Sequence, residues 1–170
     1  KTQVSDILAS LGATIINADQ VGHEAYLPET RTWHDLVEAF GREVLTESGE
    51  IDRRKLGGIV FSDPDAMKRL NSITHPRIFE MIRERIGNLE GAGEGARLVV
   101  VEAALLIEAN WTPLVEQVWV VTSNEGDVVS RLATRNNLSE ESVRARIASQ
   151  MPQAERVTHA DVIISNEGDL

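Results

Sequence analysis

The chain has 170 residues, enough for one ordinary domain with a single buried core. Its 27 acidic residues outnumber 17 basic ones, and the formal net charge of −10 argues against a surface that coats nucleic acid. Cysteine is absent, which excludes disulfides and thiolate metal sites, and no apolar run reaches the roughly 20 residues a membrane span needs. No signal-peptide pattern stands out, so a cytoplasmic protein with no membrane partner is expected. The acidic balance leaves room for an anionic small molecule, because a few clustered arginines can hold phosphate locally.

Val4, Ile7, Leu8 and Leu11 follow the spacing of one helical face, and Gly12 supplies a stop. The run Ala13–Asn17 then reads as a strand. "TWHDLVEAFG" predicts a helix ended by Gly41. "SDPDAMKRLNSIT" predicts another, capped by Ser62 or Asp63, with a proline in its first turn. "HPRIFEMIRERIGNL" predicts a third, with His75 as cap, Pro76 in the first turn, and Ile78, Ile82, Ile86 and Leu89 along one stripe. "GAGEGA" reads as a loop. Further strands are expected at Leu98–Glu102, Gln117–Thr122 and Asp161–Ser165. A helical excursion from Glu125 to about Gln150 carries Arg131, Arg135, Arg144 and Arg146.

The strand runs are short, β-branched and apolar on both faces, as in a parallel sheet covered on both sides. With helical patterns between them the fold class is α/β. The interval from about Gln20 to Gly95 is too long for one crossover helix and reads as a helical insertion on the sheet.

Chemistry is expected first at Lys1-Thr2. A lysine and a hydroxyl residue at the start of a helix form the tail of the phosphate-binding loop G-x-x-x-x-G-K-[ST]. There the helix N-terminus attracts phosphate, the lysine reaches its oxygens and the hydroxyl meets Mg²⁺. Taken alone the pair carries no signal, and an ordinary helix start with a solvated lysine is the better account. Asp19 follows a strand, where open α/β sheets place their crevice. From spacing alone it suits a helix cap as well as a base. Arg131 and Arg135, four apart, share a helix face and read either as a phosphate clamp or as solvated charge. Arg144 and Arg146 read as surface charge. His23, His34 and His159 show no ligand spacing that suggests zinc. The three tryptophans, Trp33, Trp111 and Trp119, read as packing.

Five segments taken in order resemble the dephospho-coenzyme A kinase family over nearly the whole chain. They are "KTQVSDILASLGATIINAD", "GEIDRRKLGGIVFSDPDAMKRLNSITHP", "VVVEAALLIE", "RLATRNNLSEESVRARIASQ" and "ERVTHADVIISNEG". The resemblance implies a three-layer parallel sheet of P-loop kinase type, with a helical substrate-binding insertion and a helical lid. It places the nucleotide-binding core at 1–19, 96–124 and 157–170, the coenzyme A-side insertion at 20–95 and the lid at 125–156. It implies ATP-dependent phosphorylation of the ribose 3′-hydroxyl of dephospho-coenzyme A, the last step of coenzyme A synthesis, with Mg²⁺ as cofactor and both substrates as small-molecule partners. Asp19, Lys1 and Arg135 would be catalytic; Lys1, Thr2, Arg131 and Arg135 would bind ATP. Asp19, Arg53, His75 and Pro76 would bind the acceptor, and Thr2 and Glu102 would face the metal. Glu108 and Gln150 match family positions without an evident chemical role.

Of the phosphate loop the chain carries only Lys1-Thr2, so the resemblance implies the first strand and the loop glycines ahead of Lys1 and a further helix at the other end. Three positions depart from the family pattern: Asn17 and Glu102 each stand where the family has Asp, and Ala104 where it has Pro. Two other readings remain at this point: another P-loop nucleoside or nucleotide kinase, and a degenerate nucleotide binder without catalysis. The acceptor-side pattern around Arg53 and His75-Pro76 speaks against the first.

Overall fold

The computed structural model describes the chain except residues 92–97, 137–138, 149 and 167–170, and except the side chains of residues 134–136 and 146. The expected loop at 91–96 therefore lies outside the described residues apart from Gly91. The chain forms two compact units, Lys1–Ala104 and Leu105 onward.

The first unit runs α1 (Thr2–Ser10), β1 (Thr14–Asn17), α2 (Ala18–Ala25), α3 (Arg31–Phe40), α4 (Arg53–Val60), α5 (Pro64–Gly91) and β2 (Val99–Glu102). β1 and β2 are parallel, with Thr14 beside Val99 and Asn17 beside Glu102. Gly12, at φ +97°, ends the first helix as expected, since that backbone geometry is cheap only for glycine. The buried face of α1 differs from expectation. Ser5 is buried, while Ile7 and Leu11 are 59% and 78% exposed. The helix packs on β1 and β2, and of the expected stripe only Val4 and Leu8 are partly buried, beside Ser5.

Eight buried residues, Trp33, Leu36, Phe40, Val44, Ile51, Leu56, Val60 and Ala66, make the core under α3, α4 and the start of α5. Fully burying a side chain such as Leu36 is worth about 2 kcal/mol. Trp33 also donates its indole N–H to the Gly49 carbonyl at 2.9 Å. That pins the turn that feeds α4.

α5 corrects the expected pair of helices. It is a single helix of 28 residues with Pro76 in its interior. His75 is thus not a cap, and Pro76 not a first-turn residue. Proline there leaves the Ser72 carbonyl without its helical donor, a fault costing about 3 kcal/mol in an isolated helix. The burial pattern explains why the helix continues. Ala66, Thr74, Ile78 and Ile82 are buried and Leu70 is partly so, a row at four-residue spacing that runs straight past the proline. Helices α2, α3 and α4 all pack against α5, and Pro76 itself is exposed. Tertiary burial outweighs the local breaker.

The second unit contains β3 (Trp119–Thr122), α6 (Glu125–Asn136), α7 (Glu140–Ala148), α8 (Gln153–Val157) and β4 (Val162–Ser165). β3 and β4 are parallel, with Trp119 beside Val162. Asp161 fixes the register from outside the ladder: its carboxylate accepts from the Val118 amide at 2.8 Å, and its own amide donates to the Val118 carbonyl at 2.8 Å. Trp33 and Trp111 are buried as expected, but Trp119 is 46% exposed because it opens β3 on the less covered face. Among the described residues no helix is long and apolar enough to cross a membrane.

Candidate active site

The pairing of β1 with β2 brings Asn17 and Glu102 side by side at the carboxyl ends of two parallel strands. Open α/β sheets bind ligands at that edge. α1 starts there too, with Lys1 at its N-cap position. The Thr2 hydroxyl donates to Glu102 Oε1 at 3.0 Å, and Lys1 Nζ lies 3.7 Å from the same oxygen. The Glu102 side chain is only 6% exposed, so its charge is held by two groups one hundred residues away in sequence. Three expected site residues, Lys1, Thr2 and Glu102, thus meet directly.

Asp19 is placed by Asn17. The Asn17 side-chain oxygen accepts from the amides of Asp19 at 2.9 Å and Gln20 at 3.1 Å, capping α2. The capping alternative for Asp19 therefore falls to Asn17, and Asp19 sits exposed in the first turn with its carboxylate uncommitted to the cap. A cavity of about 320 Å³ opens beside this turn, lined in part by Asn17, Gln20, Arg85 and Asn88. Arg85 in its wall pairs with Glu24 of α2.

Of the acceptor-side candidates, Arg53 lies against Tyr26, a residue that carried no signal in the sequence. Asp52 caps α4 by accepting from the amides of Arg54 at 3.0 Å and Lys55 at 3.1 Å, which sets Arg53 in the first turn. Its guanidinium carbon lies 5.2 Å from the centre of the Tyr26 ring. Burial of that side lowers the Arg53 pKa, an effect the phenol opposes. The Tyr26 phenol is pushed up by burial, offset in part by a hydrogen bond with Thr74 and by the Arg53 charge. Thr74 precedes His75 on α5. Burial moves the His75 imidazole below its ordinary value, so it is neutral at pH 7.

The second unit carries the arginines. Arg131 Nε donates to the Asp127 carbonyl at 3.3 Å, and its guanidinium lies 4.0 Å from the Asp127 carboxylate. Arg135 lies one turn further along α6, with its side chain outside the described residues. Arg144 pairs with Glu125 at 3.2 Å and Glu140 at 3.8 Å, as a surface charge would. The Arg146 side chain is also outside the described residues. Glu108 gains a structural role: its carboxylate accepts from the Met151 amide at 3.2 Å. Gln150 is exposed.

A family model described as dephospho-CoA kinase matches residues 1–170, the whole chain. The chain belongs to the dephospho-CoA kinase family. A dephospho-CoA kinase from Carboxydothermus hydrogenoformans is 41% identical over 170 residues, spanning 100% of this chain and 82% of the relative. One from Geobacter sulfurreducens is 42% identical over 168 residues, spanning 99% and 84%. Among solved structures, a crystal structure from Thermus thermophilus superposes with a TM-score of 0.82 at 30% identity, covering 99% of this chain and 83% of that one. A dephospho-CoA kinase from Campylobacter jejuni superposes with a TM-score of 0.66 at 30% identity, covering 96% and 81%. The α/β fold with parallel strands is that of the P-loop dephospho-CoA kinases, as the sequence leads one to expect. In this dephospho-CoA kinase family member, the edge where α1, β1 and β2 meet is the place where such chemistry is to be sought.

Proposed function

We infer that this chain transfers the γ-phosphoryl group of ATP to the ribose 3′-hydroxyl of dephospho-coenzyme A, giving coenzyme A in the last step of its synthesis. The family match along the entire chain carries that reading. Both substrates are small molecules. The reaction is cytoplasmic in this reading, and the core, insertion and lid follow the division 1–19 with 96–124 and 157–170, 20–95, and 125–156.

The roles of individual residues are part of the proposal. Lys1 and Thr2 meet the ATP phosphates at the start of α1, where helix N–H groups and lysine charge both favour anions. Asp19 orients the 3′-hydroxyl and accepts its proton as the oxygen attacks phosphorus, while the bridging oxygen leaves with ADP. Most of the rate comes from alignment and charge neutralisation, so Lys1, Arg131 and Arg135 act on the transferring group. Arg53, His75 and Pro76 take the acceptor.

Mg²⁺ fits the residues present. Thr2 Oγ and the Glu102 carboxylate already share a hydrogen bond, and both are hard oxygen donors. Among the described residues no three carboxylates or histidines form a cage, which suits an ion bound chiefly through substrate phosphates and water. When bound, the ion neutralises charge on the β- and γ-phosphates. Thr2 and Glu102 would hold it or its water shell.

The test is turnover of the full-length protein with dephospho-coenzyme A, set against nucleosides and nucleoside monophosphates. Dephospho-coenzyme A should be preferred by orders of magnitude. Equal or faster turnover of a nucleoside monophosphate would replace this reading with a nucleotide kinase.

A further inference from the structure

We propose that Tyr26 is a positioning residue of the acceptor side, its ring serving as the platform that holds the Arg53 guanidinium toward the phosphates of dephospho-coenzyme A. The inference rests on the reading of Arg53 as an acceptor-binding residue.

The ring is well placed to be rigid. Tyr26 follows directly on α2 as its C-cap residue, and its side chain packs on the hydrophobic core formed under α3 and α4. Thr74 of α5 lies beside the phenol, close enough to act on its ionisation. Its place at the end of α2 and its packing on that core determine where the ring lies. Arg53 approaches its outer side at 5.2 Å, within the range where a cation is attracted to an aromatic face.

The charge pattern around Arg53 also points to an external anion. Three cations stand in a row, Arg53, Arg54 and Lys55. Lys55 is occupied internally, by the Asp52 carboxylate at 3.8 Å and the Leu45 carbonyl at 3.0 Å. Among the described residues no carboxylate pairs with Arg53, whose charged end lies 5.2 Å from the centre of the Tyr26 ring, and the phenol is neutral at pH 7, as phenols ordinarily are, with burial raising its pKa further. A guanidinium lodged against a ring keeps its charge and the N–H donors at its rim, which can grip a phosphate through two hydrogen bonds. An arginine already restrained by a ring loses less freedom when it does so. α2 then carries Asp19 in its first turn and Tyr26 just past its last, so one short helix sets both the nucleophile-holding carboxylate and the platform.

Steady-state kinetics of Tyr26→Leu, Tyr26→Phe, Arg53→Ala and the Tyr26→Leu/Arg53→Ala double variant test the assignment. Tyr26→Leu should raise KM for dephospho-coenzyme A by roughly three- to tenfold, with KM for ATP and kcat within about twofold. Tyr26→Phe keeps the ring and should stay within about twofold of the parent throughout. The double variant should be no worse than Arg53→Ala, because the ring acts only through the arginine. If Arg53→Ala raises the acceptor KM and Tyr26→Leu does not, the platform is wrong while the reading of Arg53 stands. If Arg53→Ala itself leaves that KM unchanged, the reading of Arg53 fails and the platform with it. A parallel rise in KM for ATP would mark a general packing defect, and a Tyr26→Phe variant as impaired as Tyr26→Leu would assign the effect to the hydroxyl; either overturns the platform.

Discussion

Thr2 donates its hydroxyl to Glu102 at 3.0 Å, although the two residues are one hundred positions apart. The same oxygen faces the Lys1 ammonium at 3.7 Å. One buried carboxylate thus joins the start of α1 to the end of β2. Glu102→Gln keeps an oxygen for the Thr2 hydroxyl but removes the charge, and it should raise the Mg²⁺ concentration for half-maximal activity by roughly tenfold or more. Glu102→Ala should do the same and also lower thermal stability, because Thr2 and Lys1 lose their partner. Unchanged Mg²⁺ titrations in both variants would remove Glu102 from the metal's surroundings.

Asn17 is a helix cap in this chain, accepting from two backbone amides of α2. Asn17→Ala should cost about 1 kcal/mol of stability, while Asn17→Asp, an equally good cap, should cost little. Denaturant unfolding would show the difference. A further drop in kcat for Asn17→Ala well below its melting temperature is expected, since the turn it fixes carries Asp19.

Asp19→Asn preserves size and removes the proton acceptor. The expected loss in kcat is about 10²- to 10⁴-fold, with KM for ATP nearly unchanged. Rapid-quench measurement of phosphoryl transfer would isolate the chemical step. A variant with full turnover would exclude Asp19 as base.

His75 gives a pH signature. Burial places its folded-state pKa below the ordinary value of about 6.5, so the unfolded chain takes up its proton first as pH falls. The stability tied to the neutral imidazole is fully present above about pH 6.5 and is lost as pH falls through the folded-state value. Unfolding free energies of the parent and His75→Gln should therefore converge on acidification from pH 7 toward pH 5. The imidazole is only half-buried, so the effect should be modest. A constant difference across that range would show that His75 contributes nothing through its titration.

The strands were legible because β-branched runs such as "TIIN" and "WVVT" have few other uses in a folded chain. A helix start was legible where a cap residue preceded an apolar pattern, as at Asp63, whose carboxylate accepts from the Asp65 amide at 2.9 Å at the start of α5, whereas the Thr30 cap of α3 was not singled out. α5 was misread because the proline rule was set above periodicity. The row Ala66, Leu70, Thr74, Ile78, Ile82 is present in the sequence, but only the packing of three helices along it shows that it wins. At the site, Lys1, Thr2 and Glu102, which meet in the structure, were singled out through the resemblance. The cap at Asn17 was not, since it looked like a lost carboxylate rather than a different job. Tyr26 left no trace at all: an aromatic residue between a helix and a proline acquires meaning only when α4 brings Arg53 over its ring. The exposure of Ile7 and Leu11 was equally invisible, because periodicity finds an apolar stripe without saying what meets it.

A helix of 28 residues is about 42 Å long, and here it is one unbroken beam. Whatever leans on a beam shares its displacements. A tilt or bend at the proline would shift the helix that carries Asp19 in its first turn together with the one that begins with Arg53, so the two groups proposed to hold the phosphoryl acceptor would be carried as a single load rather than as independent fingers.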